Sequence, residues 1–190
     1  MVLCADERRI VAYHEAGHAV VHLQMTQLPE LHKVSIIPRG QALGTTTTMP
    51  REDQNIHSRK FLVEQLAVLM GGRAAENIFL GDMTNGANGD LDSAKNIARK
   101  MIHDWGMGQK LYYEPNRDDA EREINTLLAD AMQTAHSIIN QFRKETELLA
   151  EKLLIDETFT REEVLQLFAR QPAKQSALDC SDSPSELAVA

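Results

Sequence analysis

Residues 6–24 read DERRIVAYHEAGHAVVHLQ, a stretch with one glycine and no proline that predicts a helix capped by its first aspartate. Within it, residues 14–18 read HEAGH and match the pattern HExxH. Histidines four residues apart lie one turn apart on the same helix face, so both imidazoles can reach one zinc ion at ~2.0–2.1 Å. The stretch therefore predicts a zinc site held by His14 and His18.

Glu15 follows the first of these histidines and is turned aside from the ion, where it can hold a water without binding the metal. Zinc lowers the pKa of bound water towards ~7, and a neighbouring carboxylate takes the proton as the water attacks a peptide carbonyl. The same group can then protonate the leaving amine. The pattern predicts a zinc metallopeptidase with Glu15 as general base. Because chance places HExxH in about 2% of chains of this composition, a structural helical bundle stays an alternative.

A catalytic zinc ion usually has three protein ligands and an open position for water. His22 lies two turns from His14, too far to share its ion, and Gln24 stands where the longer metzincin pattern needs a histidine. The remaining candidates are acidic: Glu64 and Glu76 in a predicted second helix, and Asp90 at the start of a third. Because helix starts also favour a carboxylate as a cap, spacing alone leaves the third ligand open.

The rest of the chain predicts a mainly α-helical metallopeptidase domain with a small β-hairpin or sheet beside the HExxH helix. Apolar residues at helical spacing predict helices at about 58–80, 90–105, 118–154 (with a break or as a long hairpin arm) and 160–168. Gly71-Gly72 in the second helix predicts a close packing contact, and Trp105 is expected in the core. A β-branched segment and four successive threonines predict the β element at 33–50.

We expect one domain over residues 1–170, with a C-terminal helical part at 118–169 and a disordered tail at 171–190. The formal net charge of −8 and the lack of a Lys/Arg-rich run argue against a nucleic-acid partner. Cys4 and Cys180 lie at opposite ends, so we expect free thiols in a reducing compartment. No apolar stretch approaches the ~20 residues that cross a bilayer, so we expect this chain itself to be soluble.

Five blocks of the sequence resemble the peptidase domain of the FtsH-type ATP-dependent zinc metalloproteases. They follow the family's order over most of residues 5–168. The blocks are YHEAGHAV at 13–20, VSIIPRG at 34–40 with ALG at 42–44, GGRAAE at 71–76, TNGANGDL at 84–91 and WGM at 105–107.

The resemblance implies that Asp90 is the third zinc ligand, because it stands at the aspartate of the family's loop. It also implies that Glu76 orients a histidine ligand. The threonine-rich strand resembles the edge along which an extended substrate lies, held by backbone hydrogen bonds.

The resemblance further implies unfolded or membrane-derived polypeptide substrates, a homohexamer, and an AAA ATPase module. The chain has no phosphate-binding glycine loop, and we expect membrane attachment only through segments that it lacks, with the peptidase on the cytoplasmic side. Besides the structural helical bundle, two alternatives remain: a catalytically silent scaffold that keeps the fold for assembly, and a metallopeptidase whose third ligand is Glu64 or Glu76.

Overall fold

The computed structural model describes residues 3–38, 43–49, 56–114 and 118–169. Within these ranges the elements are α1 (Ala5–Leu23), β1 (Leu31–Ser35), β2 (Thr45–Thr48), α2 (Arg59–Leu80), α3 (Asn88–His103), α4 (Asp118–Gln141), α5 (Arg143–Asp156), β3 (Thr158–Thr160) and α6 (Arg161–Ala169). The mainly α-helical fold with a small sheet is confirmed. The tail predicted at 171–190 and Cys180 lie outside these ranges, and Cys4 is exposed with a free thiol.

The helices of this described part include none that combines the length and the apolar character of a membrane span. The first helix begins one residue before the cap predicted at Asp6, and the Cys4 backbone N–H donates to the Glu7 carboxylate there. The predicted second helix is confirmed as α2, and the Ser58 side chain caps it by accepting a hydrogen bond from the Phe61 N–H.

Helices α1 and α2 cross at glycines, which lets their backbones touch. A Cβ added at Gly17 would lie 2.4 Å from the backbone oxygen of Gly71. A Cβ at Gly72 would lie 2.5 Å from Cε1 of the His14 ring. The close packing contact predicted for the glycine pair is therefore confirmed, and the same contact makes room for a histidine of the HExxH pattern.

The sheet has the strand order β2-β1-β3, and both pairings are antiparallel. The predicted hairpin is confirmed, although its first strand is Leu31–Ser35 and so begins and ends earlier than expected. The chain leaves the strand at Ile36, whose N–H donates to the backbone oxygen of Glu157. The third strand, which pairs with Lys33–Ser35 of β1, was not predicted.

The buried apolar residues of the core pack against α1 and α2. One buried cluster joins α1 and β1 to the C-terminal elements and includes Val20, Val34, Leu149 and Leu153. Another joins α2 to α3 and α4. The predicted break in the long helical segment is confirmed at Phe142, which separates α4 from α5.

Two expectations about α3 are wrong. The helix begins at Asn88, after a 3₁₀ turn at Asn85–Ala87, so Asp90 lies inside its first turn. The helix also ends at His103, and Trp105 beyond it is 46% exposed and does not belong to the core.

Candidate metal centre

Three polar atoms from two helices converge at the N-terminal end of α3. The Nε2 atoms of His14 and His18 are 2.9 Å apart, because the residues lie one turn apart on α1. Oδ2 of Asp90, from the first turn of α3, lies 3.1 Å from the first and 3.2 Å from the second. Among the residues whose placement is described, these three form the only group with metal-ligand geometry.

The backbone and side-chain partners of each ring leave the Nε2 atoms free to act as ligands. Nδ1 of His14 lies 2.7 Å from Oε1 of Glu76, and Nδ1 of His18 lies 2.7 Å from the backbone oxygen of Val68. Both partners are acceptors, which assigns the proton of each neutral ring to Nδ1. With both rings in this neutral form, two nitrogen lone pairs and a carboxylate oxygen face one another, an arrangement that is stabilised by a positive charge between them, either a metal ion or a proton on one ring.

The donor set fits zinc in chemistry and in spacing. Two imidazole nitrogens and one carboxylate oxygen are common zinc ligands, and a catalytic site keeps the fourth position open. Ligands ~2.0–2.1 Å from one ion at tetrahedral angles lie about 3.3 Å apart. The separations of 2.9–3.2 Å between the three atoms are close to that value.

The charges of the centre favour a cation. Burial lowers the pKa of His14, but hydrogen bonds to Asp90 and Glu76 outweigh it and raise that pKa to about 9. Burial acts the opposite way on Asp90, yet its hydrogen bonds to His14 and His18 hold the pKa of this carboxyl group well below its ordinary value. Burial also raises the pKa of Glu76, but its contacts with His14 and Thr84 together outweigh that effect and lower the pKa.

Glu15 lies beside the three converging atoms. Its side chain is buried, and Oε2 accepts a hydrogen bond of 2.8 Å from the Thr46 hydroxyl of β2. A cavity of about 710 Å³ is lined by Glu15, His14, His18 and Asp90 together with residues of β2. The carboxylate therefore faces the same space as the metal-ligand cluster.

The structure places the other candidate ligands elsewhere. The Glu64 carboxylate accepts hydrogen bonds from the Thr26 and Gln27 N–H groups, in the turn after α1. Glu76 contacts Nδ1 of His14, on the ring edge opposite the cluster. Nε2 of His22 lies 2.7 Å from the backbone oxygen of Pro29.

Two contacts of the centre were not predicted. The Val68 oxygen is a backbone group, for which no residue type gives a signal. The contact of Thr46 with Glu15 joins residues 31 positions apart, and the threonine run itself indicates only an edge strand. A periodic pattern places each residue on its own element and says nothing of such pairings.

Comparison with known proteins confirms the resemblance to FtsH-type peptidases. The sequence model of peptidase family M41 matches residues 1–117. The ATP-dependent zinc metalloprotease FtsH of Lactiplantibacillus plantarum is 38% identical over 99% of the chain and 28% of its own length. The FtsH of Bacillus subtilis is 34% identical over 87% of the chain and 30% of its own length.

A third relative, the ATP-dependent zinc metalloprotease FtsH 4 of Sphaerobacter thermophilus, is 34% identical over 93% of the chain and 30% of its own length. The chain thus spans less than a third of the length of these relatives.

Proposed function

The chain belongs to peptidase family M41, and from this premise we propose that it is a zinc metalloendopeptidase domain acting on unfolded polypeptides. We propose His14, His18 and Asp90 as the zinc ligands and Glu15 as the general base. The observation that carries the proposal is the convergence of two Nε2 atoms and one carboxylate oxygen within 2.9–3.2 Å of one another, beside the Glu15 carboxylate.

A bound zinc ion would supply Lewis acidity, which lowers the pKa of a water and polarises the scissile carbonyl. The Glu15 carboxylate accepts the proton of the attacking water and returns it to the nitrogen of the leaving amine. Glu76 and the Val68 carbonyl hold the Nδ1 protons of His14 and His18, so that both rings keep their orientation throughout.

An extended polypeptide chain is the proposed substrate. In the part of the sheet that is described, β2 lies at the edge and borders the cavity that contains Glu15. A chain that pairs with a strand edge is recognised mainly through its backbone. This mode of binding fits an enzyme that cleaves unfolded or membrane-derived proteins of many sequences.

The setting of the domain is also a proposal. The relatives are named ATP-dependent, and we propose that this domain works with an AAA ATPase module in a hexameric assembly on the cytoplasmic side of a membrane. We propose residues 1–170 as the peptidase domain.

The test uses the zinc-loaded 190-residue chain and unfolded casein as substrate. Cleavage is expected, and removal of zinc with 1,10-phenanthroline should abolish it. Glu15→Gln should bind zinc normally and lose at least about a hundredfold in kcat, the usual contribution of a general base. A zinc-loaded wild-type chain that leaves casein intact would support the silent scaffold instead.

Ligand assignment is tested by zinc content. Asp90→Ala should lose stoichiometric zinc, because only two donors remain. Asp92→Ala is the matched control, since this carboxylate lies two residues further along α3, is exposed and pairs with Lys95. Full zinc content in Asp90→Ala would contradict the proposed ligand set.

A further inference from the structure

We propose that Thr46 in β2 and Gly44, which directly precedes this strand, position the Glu15 carboxylate for proton transfer. Thr46 is the positioning residue that bonds the carboxylate, and Gly44 leaves the space that the carboxylate occupies. The inference rests on the proposed role of Glu15 as general base and adds that β2 must hold the Glu15 carboxylate in position.

The Thr46 hydroxyl donates to Oε2 of Glu15 at 2.8 Å. The Thr46 hydroxyl oxygen also lies 3.4 Å from the backbone carbonyl oxygen of Glu15, so Thr46 lies directly against this turn of α1. Within the residues that the structure describes, no other hydrogen bond reaches the Glu15 carboxylate. A hydroxyl that donates to a carboxylate forms a charge-assisted bond, which is stronger than a bond between neutral groups.

Gly44 constrains the other side of the same group. A Cβ at this position would lie 2.6 Å from Oε1 of Glu15 and 2.7 Å from its Cγ. Both distances are too short for non-bonded atoms, so any side chain here would displace the carboxylate. One oxygen is thus held by a donor, and the other fills a space that only glycine leaves.

Thr46 belongs to the strand that the substrate is proposed to join, and Gly44 directly precedes that strand. Thr46 pairs with Val34 of β1, and the opposite edge of β2 faces away from the sheet. A polypeptide that pairs with this edge would order the strand that holds the general base. The orientation of a catalytic group affects the rate of the chemical step. Removing the hydrogen bond from Thr46 should therefore lower kcat and leave KM nearly unchanged.

The principal variant is Thr46→Val, which keeps the shape and the β-branched character of the side chain and removes its hydroxyl. With casein, kcat should fall about 10- to 100-fold, the range expected for a hydrogen bond to a charged group, and KM should stay within about twofold. Thr46→Ser, which retains the donor, should recover most of the loss. Gly44→Ala should also lower kcat.

Thr47→Val is the matched control. It makes the same change at the next residue of the strand. The Thr47 hydroxyl donates at 3.3 Å to the backbone oxygen of Lys33 and not to Glu15. This variant should keep kcat within about twofold of the wild-type chain. Zinc content should stay at one ion per chain in every variant of the series.

Binding of acetohydroxamate gives a readout without turnover. A hydroxamate binds a metal through its two oxygens and can also hydrogen-bond a correctly placed carboxylate, so Thr46→Val should weaken its binding several-fold and Thr47→Val should not. Unchanged kcat and hydroxamate affinity in Thr46→Val would overturn the inference, as would a Thr46→Ser variant no better than Thr46→Val. If the wild-type chain binds zinc but cleaves nothing, the proposed activity fails, and the hydroxamate series still decides whether Thr46 positions the carboxylate.

Discussion

At the scale of single residues, Glu76 shows how the fold uses a buried charge. Its side chain is 0% exposed, and each carboxylate oxygen has a partner. Oε1 faces Nδ1 of His14 at 2.7 Å, and Oε2 accepts a 2.8 Å hydrogen bond from the Thr84 N–H. One carboxylate therefore fixes a histidine of the centre and anchors the loop that leads to Asp90. Burying a carboxylate costs free energy unless it is fully bonded, as it is here.

Glu76→Gln should weaken zinc binding. The amide has one oxygen, so it can accept from either the His14 ring or the Thr84 N–H, and its own NH₂ group then faces the other donor. We expect zinc affinity to fall about 10- to 100-fold, the usual effect of losing a partner of a metal-binding histidine. A competition titration against a chelator of known zinc affinity measures the change.

Glu64→Gln is the control for this prediction, because it makes the same change on the same helix. Its carboxylate accepts hydrogen bonds from the Thr26 and Gln27 N–H groups and does not contact the centre. Zinc affinity should be unchanged in this variant. An equal loss in both variants would assign the effect to α2 as a whole and would contradict a specific role for Glu76.

Residue identity alone could predict only part of the centre. His14 and His18 follow from helix geometry, because four positions make one turn. The approach of Asp90 depends on how α3 packs against α1, and spacing could not separate it from Glu64 and Glu76. The contact between Thr46 and Glu15 depends in the same way on the position of the sheet, which no local pattern contains.

At the scale of elements, the crossing of α1 and α2 determines where the histidines lie. Gly17→Ala should destabilise the domain by about 2–4 kcal/mol, because overpacking against a rigid neighbour forces the backbone to move. That neighbour is the Gly71 backbone oxygen, 2.4 Å from the added Cβ. Urea unfolding at one fixed free zinc concentration measures the change.

Gly89→Ala should change the stability in the opposite direction. This glycine lies in the first turn of α3, and a Cβ added there meets no atom within 4 Å. Alanine in a helix is favoured over glycine by up to about 1 kcal/mol, so the variant should be slightly more stable in the same urea titration. A loss of stability in Gly89→Ala comparable to that of Gly17→Ala would show that the crossing is not what makes Gly17 special.

The elements themselves follow largely from local signals. Apolar periodicity predicts α2 and the long helical segment, and Ser58 provides the cap of α2. The strand Thr158–Thr160 escapes prediction because three residues carry no period, and its partner β1 lies more than a hundred residues earlier. The start of α3 at Asn88 is missed because Gly, Asn and Asp favour loops, whereas here a 3₁₀ turn leads directly into the helix.

At the scale of the whole molecule, the hydrophobic core extends beyond the residues that the family model matches. The family match covers residues 1–117. The core beside α1 nevertheless includes Leu149 and Leu153 of α5, both with 0% exposure, and Phe159 of β3. Residues of α5 and β3 therefore help to bury the HExxH helix, and β3 completes the sheet whose other edge borders the centre.

Truncation tests this dependence. A chain that ends at residue 142 lacks α5, β3 and α6, which leaves Val20 and Val34 without their partners Leu149 and Leu153. Losing buried apolar residues such as Leu149, Leu153 and Phe159, at about 2–5 kcal/mol each, removes a free energy comparable to the whole stability of a domain. We therefore expect no cooperative thermal transition by circular dichroism and less than stoichiometric zinc.

A chain that ends at residue 169 keeps every described contact, so it should melt within about 2 °C of the full chain and bind one zinc ion. Cooperative melting and full zinc content in the shorter chain would mean that the elements before residue 142 hold the HExxH helix in place, and that α5, β3 and α6 have no part in forming the centre.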